Sequence, residues 1–155
     1  MRALVQRVKK ASVTIEQETV ARIGPGLLVF LGVGEADEAE AIDYLAGKIS
    51  RMRIFHDEAG KMNRDIRQAA GEVLVVSQFT LYGDMKRGNR PSFTKAAEPE
   101  KAETLYLDFC EAMRQKKIPV QTGQFAAKME VELINDGPVT IWLESPGKAQ
   151  AENSD

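Results

Sequence analysis

Two short segments carry more polar chemistry than their surroundings explain. Ser77-Gln78-Phe79-Thr80 stands at the C-terminal end of the apolar run Val73 to Val76. Hydroxyl and amide groups delivered at the end of a buried strand can line a site that a rigid scaffold holds open. The same residues can equally serve a turn, with Ser77 and Thr80 satisfying backbone groups nearby. The second segment is Asn135-Asp136-Gly137-Pro138-Val139-Thr140. It reads as a β-turn between strands, but Gly137-Pro138 adds a further chemistry. Before proline a cis peptide costs only about 0.5–1 kcal/mol. A cis bond would turn two successive carbonyl oxygens in a similar direction, a rigid acceptor pair for an amino group.

The remaining inventory removes most familiar enzymes. One histidine and one cysteine cannot form an ordinary zinc site, and no carboxylate spacing makes up the shortfall, so no metal or cofactor is expected. His56 follows an expected strand and precedes turn residues, and reads as a surface side chain. No nucleophile elbow, phosphate-binding loop or dinucleotide fingerprint is present. A Ser-His-Asp triad would need His56, and nothing local supports it. An enzyme with this sequence must work without the usual general base.

A chain of 155 residues fits one domain, which at this size buries about two-thirds of the surface that the unfolded chain exposes. The lone Cys110 allows no internal disulfide and suits a reducing compartment. Charged residues interrupt the N-terminal segment, so it lacks a signal-peptide pattern. Leu27 to Leu31 is too short an apolar run to span a bilayer. A cytoplasmic location with no membrane partner is therefore expected. The net charge of −2 argues mildly against a non-specific nucleic-acid binder. Three basic clusters nevertheless stand out: Lys86-Arg87-Gly88-Asn89-Arg90; Lys61, Arg64 and Arg67; and Arg2, Arg7, Lys9 and Lys10. Each reads as solvated surface, with local phosphate contact left open.

The elements that must hold the two segments follow from periodicity. Short β-rich runs around Val5, Val13 and Val20 open the chain, with a hairpin turn at Glu16-Gln17-Glu18. Leu27 to Leu31 has the continuous apolarity of a strand buried on both faces. Over residues 37–50, Ile42, Leu45, Ala46 and Ile49 fall on one helical stripe, and Asp37 with Glu40 resembles an N-cap and its N3 acid. Met52 to Phe55 reads as a strand, and Val73 to Phe79 as a second buried one. Thr80 to Ala97 shows no periodicity and reads as a long loop. Pro99 suits the first turn of a helix running to about Lys117, with Cys110 beside its apolar face. Met129, Val131 and Leu133 alternate with charged residues as a half-buried strand. Asn135 to Pro138 interrupts it, and a last strand runs from Val139 to Leu143. The order predicts a single α+β domain with a strongly curved, barrel-like mixed sheet and two main helices.

Taken together, Ser77-Gln78-Phe79-Thr80-Leu81 and Asn135-Asp136-Gly137-Pro138-Val139-Thr140 resemble the two signature motifs of the D-aminoacyl-tRNA deacylase (D-Tyr-tRNA deacylase) family. The resemblance covers about Met1 to Glu144 and includes Gly60-Lys61-Met62-Asn63 and Gly88-Asn89-Arg90-Pro91-Ser92-Phe93. It implies a deacylase domain over residues 1–145, with 146–155 as a C-terminal tail. It also implies a homodimer that cleaves the ester of D-aminoacyl-tRNA, and of glycine mischarged on tRNA-Ala. Ser77, Gln78, Phe79 and Thr80 would line the pocket of one subunit, and Gly137 and Pro138 would enter it from the partner. The tip's carbonyls would meet the substrate's amino group and leave no room for an L-side chain, which is how chirality would be read. The ribose 2′-OH of the terminal adenosine would help activate water, with donors near Phe79 and Thr80 stabilising the oxyanion. Arg7, Asn135, Thr140 and Met129 would support the site, while Lys86, Arg87 and Arg90 would meet tRNA phosphates. A non-catalytic dimer that binds tRNA or DNA is the alternative from another class.

Overall fold

In the computed structural model, which describes residues 1–147, one long strand organises the molecule. Strand β1 (Arg2–Ile15) pairs antiparallel with β2 (Glu18–Ile23) along its second half and with β3 (Gly26–Gly32) along its first. Its other edge pairs with β8 (Glu130–Glu144) from end to end. Beyond β3 the sheet continues in parallel through β6 (Glu72–Ser77) and β7 (Val120–Thr122). The expected hairpin turn is present, with Glu16 and Gln17 both at positive φ.

The sheet has two apolar faces, which is why β3 and β6 are apolar throughout. Helices α1 (Ala39–Arg51) and α2 (Pro99–Gln115) cover one face, packing on Ala3, Val5, Leu27, Val29, Val73 and Val75. The expected stripe of Ile42, Leu45, Ala46 and Ile49 is buried here, as are Phe109 and Cys110 of α2. On the other face the curved second half of β1 folds with β2 over Leu28, Leu74 and Val76, closing a smaller core. This is the single α+β domain with a nearly closed mixed sheet that the sequence predicts. Between α1 and β6 lies a small two-stranded ribbon, β4 (Phe55–His56) with β5 (Met62–Arg64).

Three local expectations change. Asp37 does not cap α1, whose N-cap is Glu38 without a side-chain bond. Its carboxylate instead accepts from the Gly34 N–H and from the Met1 amino group, both at 2.6 Å. Met52 to Ile54 lies outside any ladder, and only Phe55 and His56 pair. The Asn135–Pro138 segment does not end a strand. Strand β8 runs through it, because Gln6 pairs with Thr140 and Val8 with Asn135, leaving residues 136–139 as a bulge opposite Arg7. The 148–155 part of the expected tail lies outside the described residues.

Candidate active site

The site begins where β6 stops. Ser77 is the last paired residue of β6, opposite Leu31, and the Gln78 N–H still donates to the Leu31 carbonyl at 2.8 Å. The chain then tightens into a one-turn 3₁₀ helix, Phe79–Tyr82. Its opening N–H groups, those of Phe79 and Thr80, have no backbone acceptor among the described residues, as at the start of any helix. The Gln78 amide donates to the Thr80 hydroxyl, fixing both side chains against each other. The turn sits against β3, where Gly32 leaves space that a Cβ would take from Leu81 and Tyr82.

Beside this corner lies a cleft of about 610 Å³ lined by Val76, Ser77, Gln78 and Phe79 on one side and by Phe125, Ala126, Ala127, Met129 and Val131 on another. The start of α2, with Pro99 and Ala102, and the Phe93–Ala97 approach to it complete the wall. Phe79, 56% exposed, meets Phe93 edge-on with ring centroids 5.0 Å apart. Ser77, Gln78, Phe79 and Met129 are thus brought together, while Thr80 is not among the lining residues and joins them only through its bond from Gln78. The sequence did not assign Phe93, Ala97, Phe125 or Ala127 to the site, although Phe93 lies in a segment that carries the family resemblance. They are small or apolar residues from non-periodic segments, and only the packing of α2 brings them to the cleft. Glu98, at the start of α2, is the ionisable side chain among the lining residues, and no histidine or cysteine joins it.

The second signature forms a separate, exposed projection. Gly137 has φ +129°, and the Gly137–Pro138 peptide is cis. Arg7, only 4% exposed, lies beneath it. Its Nε donates to the Asp136 carbonyl at 3.2 Å, its Nη1 to the Ile54 carbonyl at 2.6 Å, and the Asp136 carboxylate is 3.5 Å from Nε. Asn135 ties the base of the bulge, its Nδ2 donating to the Arg7 and Val139 carbonyls, each at 2.9 Å. Thr140 accepts from Gln6 Nε2 at 3.1 Å. Gly137 and Pro138 do not line the cleft beside Ser77 of their own chain. Lys86, Arg87 and Arg90 are exposed on the loop beyond the 3₁₀ turn, where Asp84 accepts from the Lys86 N–H at 2.9 Å.

Titratable groups with displaced pKa values lie outside the Ser77–Thr80 segment. Burial pushes the Tyr82 and Tyr106 hydroxyls up, the nearby Asp37 charge adding to the effect on Tyr82. Burial also pushes the Cys110 thiol up to about 11, which suits an inert core residue. The Asp57 carboxyl is held below its ordinary value by the Asn63 amide and the Lys61 N–H. His56 is exposed, as expected.

Residues 4–144 match the family model described as D-Tyr-tRNA(Tyr) deacylase. The D-aminoacyl-tRNA deacylase of Thermotoga petrophila is 58% identical over 145 residues, covering 94% of this chain and 97% of that protein. That of Salmonella typhimurium is 55% identical over 144 residues, covering 93% and 99%. Among solved structures, one titled c-Myc DNA Unwinding Element Binding Protein superposes with a TM-score of 0.90 at 41% identity, covering 95% of this chain and all of that one. A probable eukaryotic D-amino acid tRNA deacylase shares the fold, with a TM-score of 0.79 at 17% identity over 92% of this chain and 97% of that one.

Proposed function

The chain belongs to the D-Tyr-tRNA(Tyr) deacylase family and is a hydrolase of the D-aminoacyl-tRNA ester, and from that premise we propose how its residues divide the work. The cleft beside Ser77 receives the aminoacyl end of the tRNA. Ser77, Gln78 and Thr80 bind and position the ester, Phe79 and Met129 bound the amino-acid space, and the Phe79 and Thr80 N–H groups meet the developing oxyanion. Water is activated with help from the substrate's own 2′-OH. Lys86, Arg87 and Arg90 contact tRNA phosphates. The deacylase domain occupies residues 1–145, and the enzyme works in the cytoplasm.

The observation that carries the rest is the separation of the two signatures. The Gly137–Pro138 tip is firmly braced by Arg7 and Asn135, yet it lies apart from its own chain's cleft. In a two-fold dimer each tip would enter the partner's cleft, its carbonyls facing the substrate's amino group. An L-side chain would collide with the tip, while D-side chains of many sizes would point away from it. Glycine, with no side chain to reject, would pass the same filter, so glycyl-tRNA-Ala is a second substrate.

The test compares deacylation of D-Tyr-tRNA, L-Tyr-tRNA and Gly-tRNA-Ala by the wild type, Thr80→Ala and Gly137→Ala. A Cβ on Gly137 would lie 2.8 Å from Val139 Cγ2 and 3.1 Å from Arg7 Nη2, at a φ that L-residues rarely adopt. Gly137→Ala should therefore distort the tip and lower the ratio of D to L rates. Thr80→Ala should slow the D-substrate at least tenfold without admitting the L-substrate. An unchanged D-to-L ratio in Gly137→Ala would move the chiral filter elsewhere. Binding of tRNA without cleavage by the wild type would favour the non-catalytic alternative.

A further inference from the structure

The basic cluster around the β4–β5 ribbon has no part in the site so far described, yet it is joined to the Gly137–Pro138 tip through one side chain. Arg7 Nη1 donates to the Ile54 carbonyl and Arg7 Nε to the Asp136 carbonyl. A single buried guanidinium therefore bolts the chain entering the ribbon to the base of the tip. Next to that junction a groove of about 300 Å³ runs between the end of α1 and β8, with Lys48 and Arg51 on one side, Met52 and Ile54 as floor, and Ile141 and Leu143 on the other. Lys61 lies on the ribbon itself, at the entry to β5.

Lys48 Nζ lies 5.7 Å from the centre of the Tyr44 ring on α1. Lys48, Arg51 and Lys61 are exposed, and among the described residues none of their side chains forms an ion pair. Acids on the ribbon are already engaged. Asp57 accepts from the Ala59 and Lys61 N–H groups and from Asn63 Nδ2, and Glu58 lies 3.7 Å from Arg64. The last turn of a helix favours cations through its dipole, which accounts for Lys48 and Arg51 as sequence choices but not for Lys61. On a chain of net charge −2, Lys48 and Arg51 line a groove whose Ile54 is tied through Arg7 to the base of the tip, and Lys61 stands on the ribbon that follows Ile54. Cations without acidic partners there present a local surface for a polyanion.

We propose that Lys48, Arg51 and Lys61 contact the phosphates of the tRNA acceptor end, and that they act across the dimer, on the substrate whose amino acid occupies the partner's cleft. This rests on the proposed insertion of the tip. If the tip enters the partner's cleft, the groove and ribbon bolted to it arrive at that cleft's mouth, where the RNA must leave. Each substrate is then held by the Lys86–Arg90 loop of the subunit that binds its amino acid and by the groove of the subunit that reads its chirality.

The experiment measures kcat/KM and its salt dependence for a Lys48→Gln/Arg51→Gln/Lys61→Gln variant. Two substrates are used, D-Tyr-tRNA and 3′-O-D-tyrosyl-adenosine, which keeps the ester and 2′-OH but has no phosphate. The variant should lose at least tenfold on D-Tyr-tRNA through KM. The slope of log KM against log salt should fall by about 2, as expected for three lost contacts at about 0.7 each. Its rate on the adenosine ester should be unchanged. Equal losses on both substrates, or no loss on the tRNA, would overturn the proposal. A wild type inactive on both substrates would instead defeat the functional reading, and this inference with it. Mixed dimers then test the geometry, using Gln78→Ala/Thr80→Ala to silence one cleft. Adding the three glutamines to the silenced subunit should raise KM at the live cleft. Adding them to the live subunit should leave KM near the wild-type value, and the reverse pattern would sink the cross-subunit assignment.

Discussion

Arg7 is the residue on which the tip depends. A buried guanidinium needs its donors satisfied, and two of them end on backbone carbonyls from segments far apart in sequence, Ile54 and Asp136. The Arg7 carbonyl in turn accepts from Asn135, so the same residue holds the bulge from both its side chain and its backbone. Arg7→Met keeps the apolar stem and removes the donors, leaving the Ile54 carbonyl without its partner. The expected cost is about 1–3 kcal/mol of stability, read from the urea midpoint. D-Tyr-tRNA deacylation should fall further than that loss of folded protein explains, because the tip loses its brace. A variant with wild-type stability and wild-type rate would show that the bulge is held by Asn135 alone.

At the scale of elements, the cleft exists because β3 and β6 run in parallel and end together. Gly26 fixes their register, for a Cβ there would sit 1.9 Å from the Glu72 carbonyl oxygen. That oxygen belongs to backbone and cannot swing aside. Gly26→Ala should therefore force the two strands apart and cost about 3 kcal/mol, the upper part of the range for overpacking. A urea midpoint within error of the wild type would mean that the pair separates there at no cost. These strands were legible in the sequence because burial on both faces leaves a continuous apolar run, and α1 and α2 were legible because one buried face imposes a helical stripe. The bulge was not, since four residues looping out opposite Arg7 look locally like a turn that ends a strand. Nor was the far wall of the cleft. Phe93, Ala97 and Phe125 come from segments without periodicity, and their meeting depends on how α2 docks. Ser77 to Thr80 stood out because polar residues at the end of a buried strand are unusual, yet their chemistry became readable only through the family resemblance.

The whole molecule leaves one face of its sheet unfinished. Opposite the helices, the second half of β1 and β2 cover Leu28 and Leu74, but the first half of β1 is open. There Trp142, Leu4, Phe30 and Val76 stand in register across β8, β1, β3 and β6. Trp142 is 47% exposed, Leu4 and Phe30 are half-buried, and Val76 also lines the cleft. A second copy docked on this apolar row, which runs to the candidate cleft, would cover it. Arg2 lies 5.8 Å from the centre of the Trp142 ring, with Glu144 3.1 Å from its Nε, so charge flanks the row on one side. If two copies pair over this row, Trp142→Glu places a carboxylate in their contact. Light scattering should show a dimer for the wild type and a monomer for the variant at micromolar concentration. Circular dichroism should remain that of a folded α+β domain. Deacylation of D-Tyr-tRNA should fall by at least a hundredfold, because every cleft then lacks its tip. A folded, monomeric Trp142→Glu that still deacylates at the wild-type rate would establish that one chain completes its own site, and the shared-site reading would be wrong.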